Sequence, residues 1–143
     1  MSNNDKRTLE DHPVPVKMKL SLLWASLMSL YIYNDYFSMY LPGTIEDMAA
    51  GQLGPLGDAT QLVLVSVATI LAIPALMIFM SAALPTTYSR WLNILMGLVY
   101  TIIEALTVFG SYLFYQVVVA LEIIVTILIV YYAVRWPEQA TNE

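Results

Sequence analysis

Cysteine is absent from the 143 residues, and the single histidine, His12, lies in a polar N-terminal stretch. The first absence removes disulfides, thiolate metal sites, iron–sulfur clusters and dithiol redox chemistry. The second removes bis-histidine haem ligation and histidine-based metal centres from the rest of the chain. Charge is also scarce: 12% of residues are charged and 59% hydrophobic, against roughly 25% charged in soluble domains. Such a chain has too little polar surface to wrap a water-soluble core. The six basic residues form no patch with interleaved aromatics, which argues against nucleic acid as a partner. No Ser-His-Asp set, glycine-rich phosphate loop or metal motif is present, so nothing marks an enzyme and no cofactor or metal is expected.

The hydrophobic residues fall into four long runs, which predicts an all-α integral membrane four-helix bundle with the lipid bilayer as its surroundings. Residues 1–16 read as a flexible tail, 17–136 as the transmembrane domain and 137–143 as a second tail. The first span, 19–41, ends at Pro42-Gly43. At the helical rise it covers about 34 Å, enough for a hydrocarbon core of roughly 30 Å. A glycine-rich loop follows, in which Thr44 is placed to cap one interfacial turn. Span two, 60–84, has no charge and contains Pro74; within a membrane helix a proline kinks the segment rather than ending it. Spans three and four are 91–109 and 113–134, separated by a short break at Gly110-Ser111.

Four spans put Lys6, Arg7, Lys17, Lys19, Arg90 and Arg135, every basic residue in the chain, on one side, and Glu46, Asp47 and Asp58 on the other. The positive-inside rule then makes both termini cytoplasmic, N-in and C-in. Trp24, Trp91 and Trp136 fall near that same face, as an aromatic belt would. Tyr40, Tyr88, Tyr112, Tyr131 and Tyr132 fall near span ends, where phenols anchor at headgroup level.

Three carboxylates lie inside the spans: Asp35, Glu104 and Glu122. An ionised carboxylate at a helix centre costs roughly 2.5–3.5 kcal/mol, so each needs a partner, a proton or water. With the spans as drawn, Asp35 and Glu104 each sit about 9 Å inside the outer boundary and Glu122 lies near the midplane. Helical spacing groups Ser21, Trp24, Met28, Tyr31, Asp35 and Ser38 on one stripe, and Asn93, Gly97, Tyr100, Glu104, Thr107 and Ser111 on another. Tyr31 and Tyr100 each precede an acid by one turn and can donate to a carboxylate along the helix or across to a neighbour. On span four Glu122 and Thr126 share a face with Tyr115, Val119 and Ala133.

Two readings of these acids stay open. One makes them protonated, hydrogen-bonded packing groups. The other makes Asp35, Glu104 and Glu122, with Tyr31 and Tyr100, a proton, cation or solute site in an outward-facing polar cavity. Three carboxylates could also hold a hard cation through oxygen ligands. Pro74 reads either as a hinge or as a static kink.

Four segments carry a resemblance: Tyr31-Ile32-Tyr33-Asn34-Asp35 running on to Leu41-Pro42-Gly43, Ile73-Pro74-Ala75 to Met80-Ser81, Arg90-Trp91-Leu92-Asn93-Ile94, and Glu122-Ile123-Ile124 to Arg135-Trp136-Pro137. Together they resemble a family of small bacterial four-span membrane proteins of unknown function, over nearly the whole chain after the tail. That resemblance implies a bacterial inner-membrane location and brings no activity. In size and span count the chain is also similar to DoxX-like proteins. Two functions are therefore expected as alternatives: proton-linked transport of a small solute, with a homodimer building the path, or an accessory subunit packed against a larger membrane-complex partner.

Overall fold

A computed structural model describes residues 12–109 and 112–137. Lys6, Arg7, the Gly110-Ser111 break, residues 1–11 of the first tail and 138–143 of the second lie outside the described residues. Those described fold as five α-helices: α1 (Val16–Ser38), α2 (Thr44–Ala49), α3 (Gln61–Ala83), α4 (Thr86–Thr107) and α5 (Leu113–Val134). Among them no strand forms, only an isolated bridge between Gln52 and Asp58. Two helices, α3 and α5, are long and apolar enough to cross a membrane.

Local chemistry sets the helix ends. Pro15 precedes α1, and its carbonyl accepts from the amides of Met18 and Lys19 at 3.0 and 3.1 Å. The helix thus starts three residues before the predicted span, and it stops at Ser38 rather than Leu41. Gly43, at φ 86°, caps α2. Thr44 is therefore the first residue of that helix and not its cap, because only glycine enters this left-handed backbone region at no steric cost. Thr60 does cap α3, accepting from the Val63 amide at 3.3 Å. Between α3 and α4 only Leu84 and Pro85 intervene. Helix α4 begins five residues ahead of the predicted third span, since Thr86 to Arg90, polar enough to read as a loop, continue the helix behind Pro85.

Helix α1 packs against α3 and α5, and α4 packs against α5 and, over a smaller area, against α3. The buried apolar cluster is formed by Leu20, Trp24 and Leu27 of α1, Met77 of α3, Tyr100 of α4, and Ile129 and Ala133 of α5. Gly97 sets the α4–α5 spacing. A Cβ there would lie 2.7 Å from Val130 Cγ2 and 3.3 Å from Ile129 Cγ2, so only glycine permits this approach.

The outside of the fold is strongly apolar. Leu62, Leu76, Phe79, Trp91, Leu106 and Leu113 are among the exposed large side chains. Only 11% of the most apolar window of α3 is buried, whereas the core helix of a soluble domain would be mostly covered.

The described basic residues meet at one end. Lys17 Nζ donates to the Leu84 carbonyl just past α3, at 2.5 Å. Arg90 Nη2 donates to the Val134 carbonyl at the end of α5, at 3.3 Å. Both cations thus answer carbonyls that a helix terminus leaves open. Lys19 and Arg135 stack on the rings of Tyr132 and Tyr131. Trp24 does not join a belt there; it is fully buried.

Candidate functional site

Two buried polar layers cross the interior. The one nearer the basic end is built on Asn93 of α4. Its Oδ1 accepts from Trp24 Nε1 at 2.7 Å and from Ser81 Oγ at 3.0 Å, and its Nδ2 donates to the Ser89 carbonyl at 2.8 Å. Ser89 Oγ in turn donates to the Ser81 carbonyl at 2.9 Å. All four residues are fully buried. Every polar atom named here has its partner, so this layer locks α1, α3 and α4 together and offers no group for chemistry.

The second layer holds the acids. Glu104 follows Gly97 by two turns on α4, and Glu122 precedes Ile129 by two turns on the antiparallel α5. Because Gly97 faces Ile129, both carboxylates come to one level. Glu122 is therefore not deeper than Glu104, as the sequence spacing implied. The level lies four residues before the end of α1 and three before that of α4, whereas α5 continues past it for nine residues, about 14 Å. Unequal helix overhang moved the estimate.

Glu104 Oε1 accepts from the Tyr31 hydroxyl at 2.7 Å, and Thr126 Oγ1 lies 3.0 Å from its Oε2. Thr126 Oγ1 also lies 3.2 Å from the Glu122 carbonyl and 3.0 Å from that of Ile123. A hydroxyl has one proton to give and two lone pairs. Thr126 can thus donate to an ionised Glu104, or accept from a protonated one while donating to a carbonyl. Glu104 keeps a partner on both oxygens in either state.

Glu122 is held differently. Its side chain is 2% exposed, and the contact to it is Asn34 Nδ2, 3.4 Å from Oε1. That is beyond the normal N–H···O range. Asn34 is 6% exposed, and its Oδ1 is buried without a hydrogen-bond partner.

Of the residues expected to form a site, Tyr31, Glu104 and Glu122 come together. Asp35 does not join them on the inner face: Asn34 occupies it, and Asp35, one residue or about 100° further round, is exposed. Tyr100 serves another purpose. Its hydroxyl donates to the Ile70 carbonyl at 2.5 Å, the acceptor that Pro74 deprives of its helical donor. The carbonyl freed by Pro74 is therefore hydrogen-bonded across to α4. Among the described residues no three His, Asp or Glu side chains converge, so the three-carboxylate cation site does not form. The sequence assigns Asn34 and Ser81 no site role, although Asn34 falls on the same helical register as Leu20, Trp24, Leu27 and Tyr31. Surface clefts lined by Leu84, Tyr88 and Trp91, and by Val16, Arg90 and Trp136, lie at the basic end, away from the acids.

A family model matches residues 10–142. The chain belongs to DUF6326, a family of unknown function. The match spans both polar layers and all five helices, and it lends nothing to the likeness to DoxX-like proteins. No curated protein and no solved structure matches the chain.

Proposed function

We propose that this DUF6326 chain is a four-span protein of a bacterial inner membrane, both termini cytoplasmic, whose buried acid layer exchanges protons in the transport of a small solute. The observation that carries the reading is Glu122, a buried carboxylate whose partner is a single long amide contact. A group kept in that state within an apolar surround changes charge readily with any change in its surroundings. The girdle of exposed apolar residues supports the membrane setting, with α1 and α4 as the two further spans. The basic end, with Lys17, Lys19, Arg90 and Arg135, supports the orientation. Glu46, Asp47 and Asp58 sit at the opposite end.

The layer lies within one turn of the outer ends of α1 and α4, so a short separation of those ends would open it to water. Helices α1 and α4 pack little against one another, which gives that motion a place to occur. Proteoliposomes loaded with a pH-sensitive dye test the proposal: proton uptake on an imposed gradient should depend on Glu122.

A second reading rests on Asp35. An acid exposed on the outside of a membrane helix calls for water, headgroups or a partner, and Tyr33, Tyr36 and Phe37 flank it as exposed aromatics. This flank of α1 suits a partner subunit or a second copy of the chain. Purification in mild detergent with mass measurement separates a homodimer from a fixed heterologous partner.

A further inference from the structure

We infer that the two clefts at the basic end form one binding site for an anionic phospholipid, with its phosphate headgroup beside Arg90 and the first carbons of an acyl chain in the groove along α4. The inference uses the membrane setting proposed above and is independent of the proton exchange.

The two clefts adjoin. The larger, of about 720 Å³, is walled by Val16 at the start of α1, by Thr86, Thr87 and Arg90 in the first turns of α4, and by Trp136 beyond α5. The smaller, of about 440 Å³, is walled by Leu84, Tyr88, Leu92 and Leu95. Thr87 and Trp91 line both. Because Thr87, Trp91 and Leu95 recur every four residues, they form one strip along α4, and all three are exposed. Along that strip the lining passes from hydroxyls and a guanidinium to leucines within eight residues, about 12 Å. A lipid lying against the helix has the same order along the membrane normal, phosphate outermost and hydrocarbon within. Trp91, 64% exposed, stands at the junction, where its amphipathic ring suits the level between headgroup and chain.

Charge selects the headgroup. Arg90 brings a guanidinium, whose planar fork matches phosphate oxygens. Lys17 reaches the Leu84 carbonyl, two residues ahead of Thr86, and adds a second cation to the same end. Among the described residues the acid nearest to Arg90 along α4 is Glu104, fourteen residues on and about 21 Å away. Basic pockets at helix ends on the cytoplasmic side are where anionic headgroups bind. A zwitterionic lipid offers the same chain without net charge, so the headgroup sets the preference.

The test is native mass spectrometry of the delipidated protein in mild detergent, titrated with phosphatidylglycerol and with phosphatidylcholine of equal chain length. The expected result is one phosphatidylglycerol retained per chain at concentrations where phosphatidylcholine is not, a preference that falls as salt rises. Arg90→Gln should weaken phosphatidylglycerol binding about 5-fold. Leu95→Trp, which fills the groove, should weaken it as well, and Lys19→Gln, which removes an equal charge outside the clefts, should leave it unchanged. Circular dichroism and elution profile confirm each variant's fold; if Arg90→Gln misfolds, Leu95→Trp and the native chain's headgroup preference decide. Equal retention of the two lipids overturns the inference, as does native affinity in a folded Arg90→Gln or Leu95→Trp, or an equal loss in Lys19→Gln and Arg90→Gln. Displacement of the lipid by inorganic phosphate at equal concentration also overturns it, since the cleft is then a site for a free anion. Glu122-dependent proton flux from a chain without lipid preference overturns this inference and leaves the transport reading standing. Lipid preference without any flux does the reverse.

Discussion

The hydroxyl of Tyr100 on α4 donates to the carbonyl of Ile70 on α3, the acceptor left open because Pro74 has no amide proton. A gap in the hydrogen-bond ladder of one helix is thereby filled by a phenol from another. Tyr100 also packs edge-on against Trp24, with ring centroids 5.9 Å apart, so the same residue ties α3, α4 and α1.

That relationship predicts a specific coupling. Tyr100→Phe should destabilise the protein by about 1–3 kcal/mol, the cost of a buried acceptor left unpaired. In a Pro74→Ala background the restored amide can serve Ile70, and the cost of losing the hydroxyl should shrink. A double-mutant cycle on reversible unfolding in mixed micelles measures this. Equal costs in both backgrounds would contradict the pairing.

Gly97 predicts a steric effect. Gly97→Ala places a Cβ 2.7 Å from Val130 Cγ2 and should cost about 1–3 kcal/mol through overpacking. Shortening the neighbour, as Val130→Ala, should recover part of the loss. The same unfolding assay decides it, and an undiminished penalty in the double variant would show that the contact is not the cause.

Asn93 predicts a polar effect. Asn93→Leu strands the Trp24 indole N–H and the Ser81 hydroxyl in the interior, a loss of about 1–3 kcal/mol for each group left unpaired. Trp24→Phe, which removes one of those groups, should cost less in the Asn93→Leu background than in the native one. Unfolding of the two single variants and the double variant in mixed micelles measures the difference, and equal costs in both backgrounds would contradict the contact.

The missing cysteines make topology easy to test. Single-cysteine variants at Gln52, in the α2–α3 connection, and at Thr86, at the basic end, should label differently with a membrane-impermeant maleimide. Intact cells should label the first and not the second until permeabilised. The opposite pattern would invert the proposed orientation.

How far the sequence showed the site depends on one residue of helical register. The two long stripes on α1, one through Asp35 and one through Asn34, share Trp24 and Tyr31 and differ by a single-residue shift. Charge favoured Asp35, while contact with α5 selects Asn34, and no periodicity within α1 distinguishes them. The stripe on α4 was legible from Asn93 to Glu104 because its polar and small residues recur at helical spacing amid apolar ones. Depth was not legible, since it depends on how far α5 overhangs its neighbours. Tyr100 was visible as a donor, but its acceptor, a proline-freed carbonyl on another helix, belongs to tertiary packing.

The central claim is that Glu122, and not Asp35, is the exchanging acid. Proton flux into proteoliposomes, compared for the native chain, Glu122→Gln and Asp35→Asn, tests it most directly. The account predicts that Glu122→Gln abolishes flux and Asp35→Asn retains most of it. Native flux in a folded Glu122→Gln variant, or loss confined to Asp35→Asn, would contradict it.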